Sequence, residues 1–341
     1  MVAGLPYRAP AWLPGAHAQT VWPALLCPRP PLNYRRERWD TPDGDFIDLD
    51  WIGAAAESTR ALMVLFHGLE GSSASHYARA LMHAAKTRGL TGVVVHFRGC
   101  SGELNRQPRA YHSGDSAEID WVLRRLRARL NPAAALLVTG VSLGGNMLLK
   151  WLGEQGEAAR FVTAAAAFCP PQDLHAGAVA LRSGFSRLYA RNFLVSLRRK
   201  SLALAARHPG LLEVDRVRHA TDFFAFDEHV TARLHGFRSA MDYWQRCSCR
   251  QFLGGVRVPT LVVNALNDPF LPARFLARPQ EVSPCVTLDY PAQGGHVGFA
   301  TGLPPGRLSW LPERALRHFE QHTGPVVLQS AAAGAAALES S

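Results

Sequence analysis

Three short motifs in this 341-residue chain carry side chains that together could perform nucleophilic catalysis. Ser142 lies in GVSLGG, Asp268 in LNDPF and His296 in QGGHVGF. A serine hydroxyl becomes a strong nucleophile when an imidazole accepts its proton, and a carboxylate fixes the tautomer of that imidazole. We therefore predict that Ser142 is a nucleophile, with His296 as its general base and Asp268 as the group that orients the histidine.

The sequence around Ser142 has the spacing of a sharp turn that exposes a nucleophile. Glycine stands two residues before and two residues after the serine, at Gly140 and Gly144. Such a turn leads from a strand into a helix, and a side chain at either glycine would clash with it. The apolar run 135–140 and the helix-like segment after the serine supply that context. The five-residue pattern alone arises easily by chance, so the prediction depends on these flanking elements.

Acyl transfer also requires hydrogen-bond donors for the negative oxygen that develops on the substrate carbonyl. We expect backbone N–H groups in this role, one from Leu143 after the nucleophile and one from Leu69 in the segment FHGLEG. Each such donor contributes about 3 kcal/mol of transition-state stabilisation. His67, in the same segment, is interpreted as a buried structural histidine.

Short apolar runs alternate with helix-like segments along most of the chain. Strands that are apolar throughout and alternate with helices indicate an α/β fold, with a mostly parallel sheet covered by helices on both faces. Asp268 and His296 follow two of these runs, so their loops should leave the same edge of the sheet as Ser142. The turn sequence TPDG (41–44) predicts an antiparallel hairpin before the first run. The runs are 61–68, 91–99, 135–140, 161–169, 260–265 and 286–290.

The positions of the apolar runs divide the chain into a predicted core and segments outside it. Residues 31–171 and 251–325 contain the apolar runs and are predicted to form the α/β core. Residues 172–250 lack strand signal and are rich in Arg, Ala, Leu and His, so we expect a helical cap inserted into the core. Residues 1–30 are expected to form an N-terminal extension that packs on the core. Residues 326–341 are expected to be a disordered tail, because their end is low in complexity.

Composition argues against several classes of protein. The formal charge of +10 comes from 37 basic and 27 acidic residues, but the basic residues are scattered and no nucleic-acid motif accompanies them. We therefore expect no nucleic-acid partner. Six cysteines without a CxxC pair fit neither a disulfide scaffold nor a zinc ribbon. The sequence has no signal-peptide pattern and no apolar stretch of about 20 residues, which predicts a cytoplasmic protein without a transmembrane segment.

Longer sequence strings around the motifs identify a protein family more specifically than the short motifs do. They are HAQTVWPALL (17–26), HGLEGSSASHY (67–77), FRGCSGELNR (97–106), YHSGDS (111–116), GVSLGGNMLLKWLGE (140–154), FDEHVTARLHGF (226–237), DYW (242–244), NALNDPF (264–270) and GGHVGF (294–299). Together they resemble the YheT-like branch of the α/β-hydrolases, also called the AB hydrolase 4 family. The resemblance implies the α/β-hydrolase fold, activity on carboxylic esters, and a charge-relay triad of Ser142, Asp268 and His296. Some members of the family that this chain resembles act on phospholipids.

The predicted activity is hydrolysis of carboxylic esters with short- to medium-chain acyl groups, through an acyl-enzyme on Ser142. No cofactor or metal is expected, because triad chemistry needs none and HExxH is absent. A phospholipase, a lipase or a thioesterase would use the same residues, and an inactive binding scaffold would keep the fold without the chemistry. The partner is thus a small-molecule or lipid ester. The sequence leaves peripheral membrane contact and the oligomeric state open.

Overall fold

The computed structural model describes residues 6–323. Within them, eight strands form one sheet: β1 (Arg35–Asp40), β2 (Phe46–Ile52), β3 (Ala61–Phe66), β4 (Thr91–Val95), β5 (Ala135–Val141), β6 (Ala164–Phe168), β7 (Thr260–Val263) and β8 (Val286–Asp289). The strand order is β1-β2-β4-β3-β5-β6-β7-β8. β2 pairs antiparallel with β1 and with β4, and all other pairs are parallel. The mostly parallel sheet and the hairpin that opens it confirm the predicted α/β fold.

Helices connect most of the strands and pack on both faces of the sheet. The helical segment from Phe223 to His235 contains a π-helical turn at Asp227–Thr231. The helices are α1 (Ala16–Leu25), α2 (His76–Thr87), α3 (Ser116–Arg129), α4 (Leu143–Gln155), α5 (Leu174–Ala180), α6 (Ser186–Arg207), α7 (Val214–Arg218), α8 (Phe223–Phe226), α9 (Ala232–His235), α10 (Ala240–Cys247) and α11 (Trp310–Thr323).

The sheet is buried on both sides. Every residue of β3, β5 and β6 is buried, as expected for parallel strands covered by helices on each face. Val64 and Leu136 belong to a core formed with α3 and α4, whereas Met63 and Leu137 belong to a core formed with α2 and α11. Because successive residues of a strand point to opposite faces, each uninterrupted apolar run supplies both cores.

A buried ion cluster joins the hairpin to the loop after β4. The Arg98 guanidinium lies 2.6 Å from a carboxylate oxygen of Glu118, and 3.0 Å from oxygens of Asp45 and Asp43. Arg98, Asp45 and Glu118 are all buried. Charges removed from water depend strongly on their partners. The cluster therefore fixes the loop after β4 against the hairpin and the start of α3.

Helices α5 to α10 lie between β6 and β7 along the chain, and the described residues contain no strand in this interval. The bounds 172–250 for an inserted cap stay a prediction, as does the N-terminal extension 1–30, of which residues 6–30 are described. The tail predicted at 326–341 lies outside the described residues. None of the helices between residues 6 and 323 has the length and hydrophobicity of a transmembrane span.

Candidate active site

Ser142 lies in the turn between β5 and α4, at the carboxyl edge of the sheet. Its backbone has φ 52° and ψ −119°, a positive-φ conformation that costs free energy for any residue other than glycine. Backbone hydrogen bonds hold the turn in place. The Ser142 N–H donates to the Phe168 carbonyl (2.8 Å), and the Gly144 N–H donates to the His67 carbonyl (3.1 Å). β5, β6 and β3 thus jointly enforce the strained conformation of the serine.

Two glycines allow the backbones to approach closely around this turn. A Cβ atom at Gly140 would lie 2.5 Å from the Gly144 carbonyl oxygen, and a Cβ atom at Gly144 would lie 2.4 Å from the Phe66 carbonyl oxygen. An alanine at either position would therefore have to displace backbone of β3 or of α4. The G-x-S-x-G spacing reflects this packing.

The structure brings the three predicted side chains into one hydrogen-bonded chain. Ser142 Oγ lies 2.9 Å from His296 Nε2, and His296 Nδ1 lies 2.8 Å from Asp268 Oδ2. An ionised carboxylate only accepts hydrogen bonds, so Nδ1–H donates to Asp268 and Nε2 of the neutral ring accepts from the Ser142 hydroxyl. The Asp268 side chain is 1% exposed and that of His296 is 11% exposed. In this arrangement the serine can transfer its proton directly to the imidazole.

Phe270 contacts both the carboxylate and the imidazole. Its backbone N–H donates to Asp268 Oδ1 (2.8 Å), the oxygen that does not bond the histidine. Its ring stacks on the His296 ring, with centroids 3.9 Å apart and planes 5° from parallel. The stack opposes rotation of the imidazole, so it helps keep Nε2 directed at Ser142. The LNDPF motif therefore supplies a positioning residue as well as the carboxylate.

Helix α1, to which the sequence assigned no specific role, holds the loop that carries His296. Gln19 is 1% exposed, and its Oε1 accepts hydrogen bonds from the Gly294 N–H (3.0 Å) and from Asn267 Nδ2 (2.9 Å). The neighbouring Thr20 Oγ1 accepts from the His296 N–H (2.9 Å). Two polar side chains of α1 therefore fix the His296 loop relative to the loop that contains Asp268.

We expect Gln19→Leu to lower kcat for ester hydrolysis between about 10-fold and 100-fold. The change leaves the buried Gly294 N–H and the partly buried Asn267 amide without an acceptor, and an unpaired buried group costs about 1–3 kcal/mol. A displacement of about 1 Å in a catalytic side chain can by itself cost about 100-fold. Steady-state kinetics with p-nitrophenyl butyrate and a thermal unfolding curve measure both effects. Gln293→Leu, at an exposed position in the same loop, is the matched control, and equal kcat values for the two variants would contradict the assignment.

The amide N–H of Leu69 has no acceptor, although the amides on both sides of it do. The Gly68 N–H donates to the Tyr77 hydroxyl (2.7 Å), and the Glu70 N–H donates to the Tyr111 hydroxyl (2.9 Å). No hydrogen bond joins the Leu69 N–H to any of residues 6–323. Two tyrosines therefore hold this loop and leave one donor free.

Leu143 has the second free amide, at the start of α4. The N–H groups of Ser142 and Gly144 donate to backbone carbonyls, whereas the Leu143 N–H bonds to no acceptor in the described part of the chain. Leu69 and Leu143 line the same cavity as Ser142, and a Cβ atom at Gly68 would lie 3.2 Å from Ser142 Cβ. A helix N-terminus directs unpaired N–H groups and a partial positive charge at a ligand. Both amides predicted as donors are thus unoccupied beside the serine.

His67 orients the peptide group that contains the Leu69 amide. His67 is fully buried, and its Nε2 accepts from the Phe97 N–H (3.1 Å), so Nδ1 carries the proton and donates to the Gly68 carbonyl (2.7 Å). A trans peptide points its C=O and N–H in opposite directions, so the anchored carbonyl turns the Leu69 N–H away from His67. Burial, followed by the neighbouring His96, lowers the pKa of His67 to about 3. The ring is therefore neutral, and its contacts agree with the structural role predicted for it.

A cavity of about 140 Å³ lies over Ser142. Helices α5, α6, α8 and α10 contribute walls of this cavity, and half of its lining residues belong to the predicted cap. Apolar walls of this kind favour a hydrocarbon chain over a charged ligand. The apolar side chains that line it include Leu174, Leu181, Phe193, Leu197, Phe223 and Trp244.

A second carboxyl group, besides that of Asp268, lies on the wall of this apolar cavity. Asp227, the first residue of the π-helical turn, accepts hydrogen bonds from Thr231 Oγ1 (2.6 Å) and Trp244 Nε1 (2.8 Å). Burial raises the pKa of Asp227 to about 6. The sequence assigns no role to Asp227, because nothing in the string FDEHVTARLHGF indicates a π-helical turn beside Ser142.

Cys169 lies close enough to the triad to complete a group of metal-ligand types. Single ligand atoms of Cys169, Asp268 and His296 all lie within 4.8 Å of one another. Burial raises the pKa of the Cys169 thiol well above its usual range, and a protonated thiol is a poor metal ligand. Its sulfur instead accepts from the Val297 N–H at 3.3 Å. The side chains of Cys169, Asp268 and His296 therefore fit a set of hydrogen-bonding groups better than they fit a set of metal ligands.

Known proteins resemble this chain in both sequence and structure. Residues 61–303 match the family model described as alpha/beta hydrolase fold. The chain is 38% identical over 301 residues to the "Putative esterase YheT" of Escherichia coli (strain K12), covering 87% of this chain and 88% of that protein. It is 30% identical over 324 residues to the "Phospholipase ABHD3" of Mus musculus, covering 92% of this chain and 78% of that protein.

A solved structure of the esterase Pf2001 from Pyrococcus furiosus matches with a TM-score of 0.56. The match covers 88% of this chain and 98% of that one, at 13% sequence identity, so it bears on the fold alone. The family model covers more than half of the chain, and the similarity to YheT extends over most of both proteins. The chain therefore belongs to the α/β-hydrolase fold family, in its YheT-like branch.

Proposed function

We propose that this protein is a serine hydrolase that cleaves carboxylic esters through an acyl-enzyme on Ser142. The observation that carries the proposal is the hydrogen-bonded chain from the Ser142 hydroxyl through His296 to the buried carboxylate of Asp268. Relatives named as an esterase and a phospholipase support ester hydrolysis as the reaction.

In the first half of the reaction, His296 Nε2 takes the hydroxyl proton while Ser142 Oγ attacks the ester carbonyl carbon. The carbonyl oxygen becomes negative and is stabilised by the free N–H groups of Leu69 and Leu143. The imidazolium of His296, stabilised by Asp268, then donates its proton to the leaving alcohol oxygen. The alcohol departs, and the acyl group stays on the serine.

Water completes the second half of the reaction by the same groups in reverse roles. His296 accepts a proton from water as the oxygen attacks the acyl carbon, and the two backbone donors again stabilise the oxyanion. The imidazolium returns its proton to Ser142 Oγ, and the carboxylic acid leaves. Apart from the ester and water, every group that takes part in these steps belongs to the chain.

Short- to medium-chain acyl groups are the substrates that we propose. The cavity of about 140 Å³ is smaller than the roughly 300–1,000 Å³ of sites for drug-sized ligands. We further propose that residues 172–250 act as a cap whose apolar side chains, such as Phe193 and Phe223, limit the acyl length.

A series of p-nitrophenyl esters from acetate to palmitate tests the proposed function. We expect kcat/KM to be highest for butyrate or octanoate and to fall steeply for palmitate, with the Ser142→Ala protein as the background control. Palmitate as the best substrate would contradict the proposed acyl length. Absence of any serine-dependent turnover, together with failure of a fluorophosphonate to react, would favour a binding scaffold.

A phospholipase is the second candidate, favoured by the relative named as a phospholipase and by the apolar lining of the cavity. It predicts greater turnover of a short-chain phospholipid than of the matching p-nitrophenyl ester. A thioesterase would use the same residues, and acyl-coenzyme A substrates run beside the ester series distinguish it.

A further inference from the structure

Helix α6 presents an outward face on which large apolar side chains are exposed. Phe185, at the start of the helix, is 48% exposed, Leu188 is 54% exposed and Val195 is 56% exposed. The opposite face of this 22-residue helix packs inward through residues such as Leu194 and Leu204. The outward apolar side chains are therefore not part of the core formed by the described residues.

Arginines surround these exposed apolar side chains. Arg187, Arg191 and Arg199 are exposed, and none of them forms an ion pair with any residue from 6 to 323. Arg182, just before α6, is by contrast paired with Asp222 (3.0 Å). With about 100° between successive residues, positions 188, 191, 195 and 199 lie on one side of the helix. The face thus combines free positive charge with exposed hydrocarbon.

This face is continuous with the proposed active site. Phe185 contacts Tyr189 (ring centroids 5.7 Å apart), and Tyr189 contacts Phe270 (5.0 Å), which stacks on His296. Leu181 lines both the cavity over the serine and a surface groove bordered by arginines of α6. A molecule held on the outward face would therefore lie next to the wall of the cavity over Ser142.

We propose that the outward face of α6 docks on an anionic lipid surface, a proposal that rests on the proposed function because docking would deliver lipid esters to Ser142. Helices that lie in a membrane interface carry arginine or lysine on the polar side and Phe or Leu on the side that enters the headgroup region. A nucleic acid would match the arginines but would leave the exposed apolar side chains without a partner. The chemistry of the whole face therefore favours lipid.

Co-sedimentation with vesicles tests the proposal on the full chain. Vesicles of phosphatidylcholine alone are compared with vesicles of equal parts phosphatidylcholine and phosphatidylglycerol. Each basic residue near an anionic membrane strengthens binding about fivefold, so we expect the variant R187Q/R191Q/R199Q to bind the anionic vesicles about 100-fold more weakly. Its hydrolysis of p-nitrophenyl butyrate should remain at the wild-type rate, which verifies folding and an intact site.

A matched charge control replaces three exposed arginines outside α6, R60Q/R274Q/R307Q. We expect this control to keep nearly wild-type vesicle binding, and L188S/V195S to lose binding although its charge is unchanged. Three results would overturn the proposal. They are an equal loss of vesicle binding in the two arginine variants, unchanged vesicle binding by L188S/V195S, and tighter binding of the wild-type protein to duplex DNA than to vesicles. Wild-type protein that binds vesicles but hydrolyses no ester would instead count against the proposed function and leave the docking surface standing.

Discussion

Replacement of Ser142 by alanine is expected to lower kcat for p-nitrophenyl butyrate by about 10⁶-fold, as when the nucleophile of other serine hydrolases is removed. The physical reason is that Ser142 Oγ is the atom that forms the bond to the substrate, and among residues 6–323 it is the one hydroxyl hydrogen-bonded to His296 Nε2, at 2.9 Å. The free amides of Leu69 and Leu143 would remain, so a small rate above that in water should persist. Initial rates of the purified variant measure the loss.

Ser183→Ala is the matched control for this variant, because Ser183 is an exposed serine far along the chain from the proposed triad. It should retain wild-type kcat. Thermal unfolding of the Ser142→Ala protein should show that it is folded. The positive-φ strain at this position stays, because alanine also has a Cβ. Near wild-type turnover by a folded Ser142→Ala protein would remove Ser142 from the mechanism.

Asp268→Asn is expected to lower kcat by about 10⁴-fold while leaving the fold intact. The asparagine oxygen can still accept from the Phe270 N–H, as Asp268 Oδ1 does now. Its NH₂ group would then face His296 Nδ1, which must become an acceptor. The ring proton moves to Nε2, so the histidine can no longer accept the proton of Ser142.

Kinetics with p-nitrophenyl butyrate and a far-ultraviolet circular dichroism spectrum check this result. Asp215→Asn serves as the control, because its side chain is 84% exposed and it makes the same change of charge. A kcat for Asp268→Asn within about tenfold of the wild-type value would mean that the carboxylate does not set the tautomer of His296.

Apolar runs in the sequence were sufficient to predict strands β3 to β8, because parallel strands covered by helices on both faces are mostly apolar. The run 135–140 corresponds to β5, and the helix-like segment after it corresponds to α4. The ends of the strands were predicted less accurately than their existence. The run 161–169 contains the strand Ala164–Phe168 only, because the chain turns before Ala164, where the Val162 N–H donates to the Ala159 carbonyl.

The contacts that hold the loops of Asp268 and His296 in place could not be predicted from local patterns. Gln19 and Thr20 lie in the string HAQTVWPALL, yet their partners Gly294 and His296 are 275 and 276 residues away. Likewise, the hydrogen bond between Glu70 and Tyr111 spans 41 residues. Motif spacing identifies residues with reactive groups, whereas the residues that hold them in position depend on how loops pack.

We propose that His296 activates Ser142 as a nucleophile, and covalent labelling tests this claim most directly. The wild-type protein and a His296→Ala variant are treated with a fluorophosphonate, and peptide mass spectrometry locates and quantifies the adduct. We predict a single adduct on Ser142 in the wild-type protein and strongly reduced labelling in the variant. An adduct on a different residue, or equal labelling of Ser142 in both proteins, would contradict the claim.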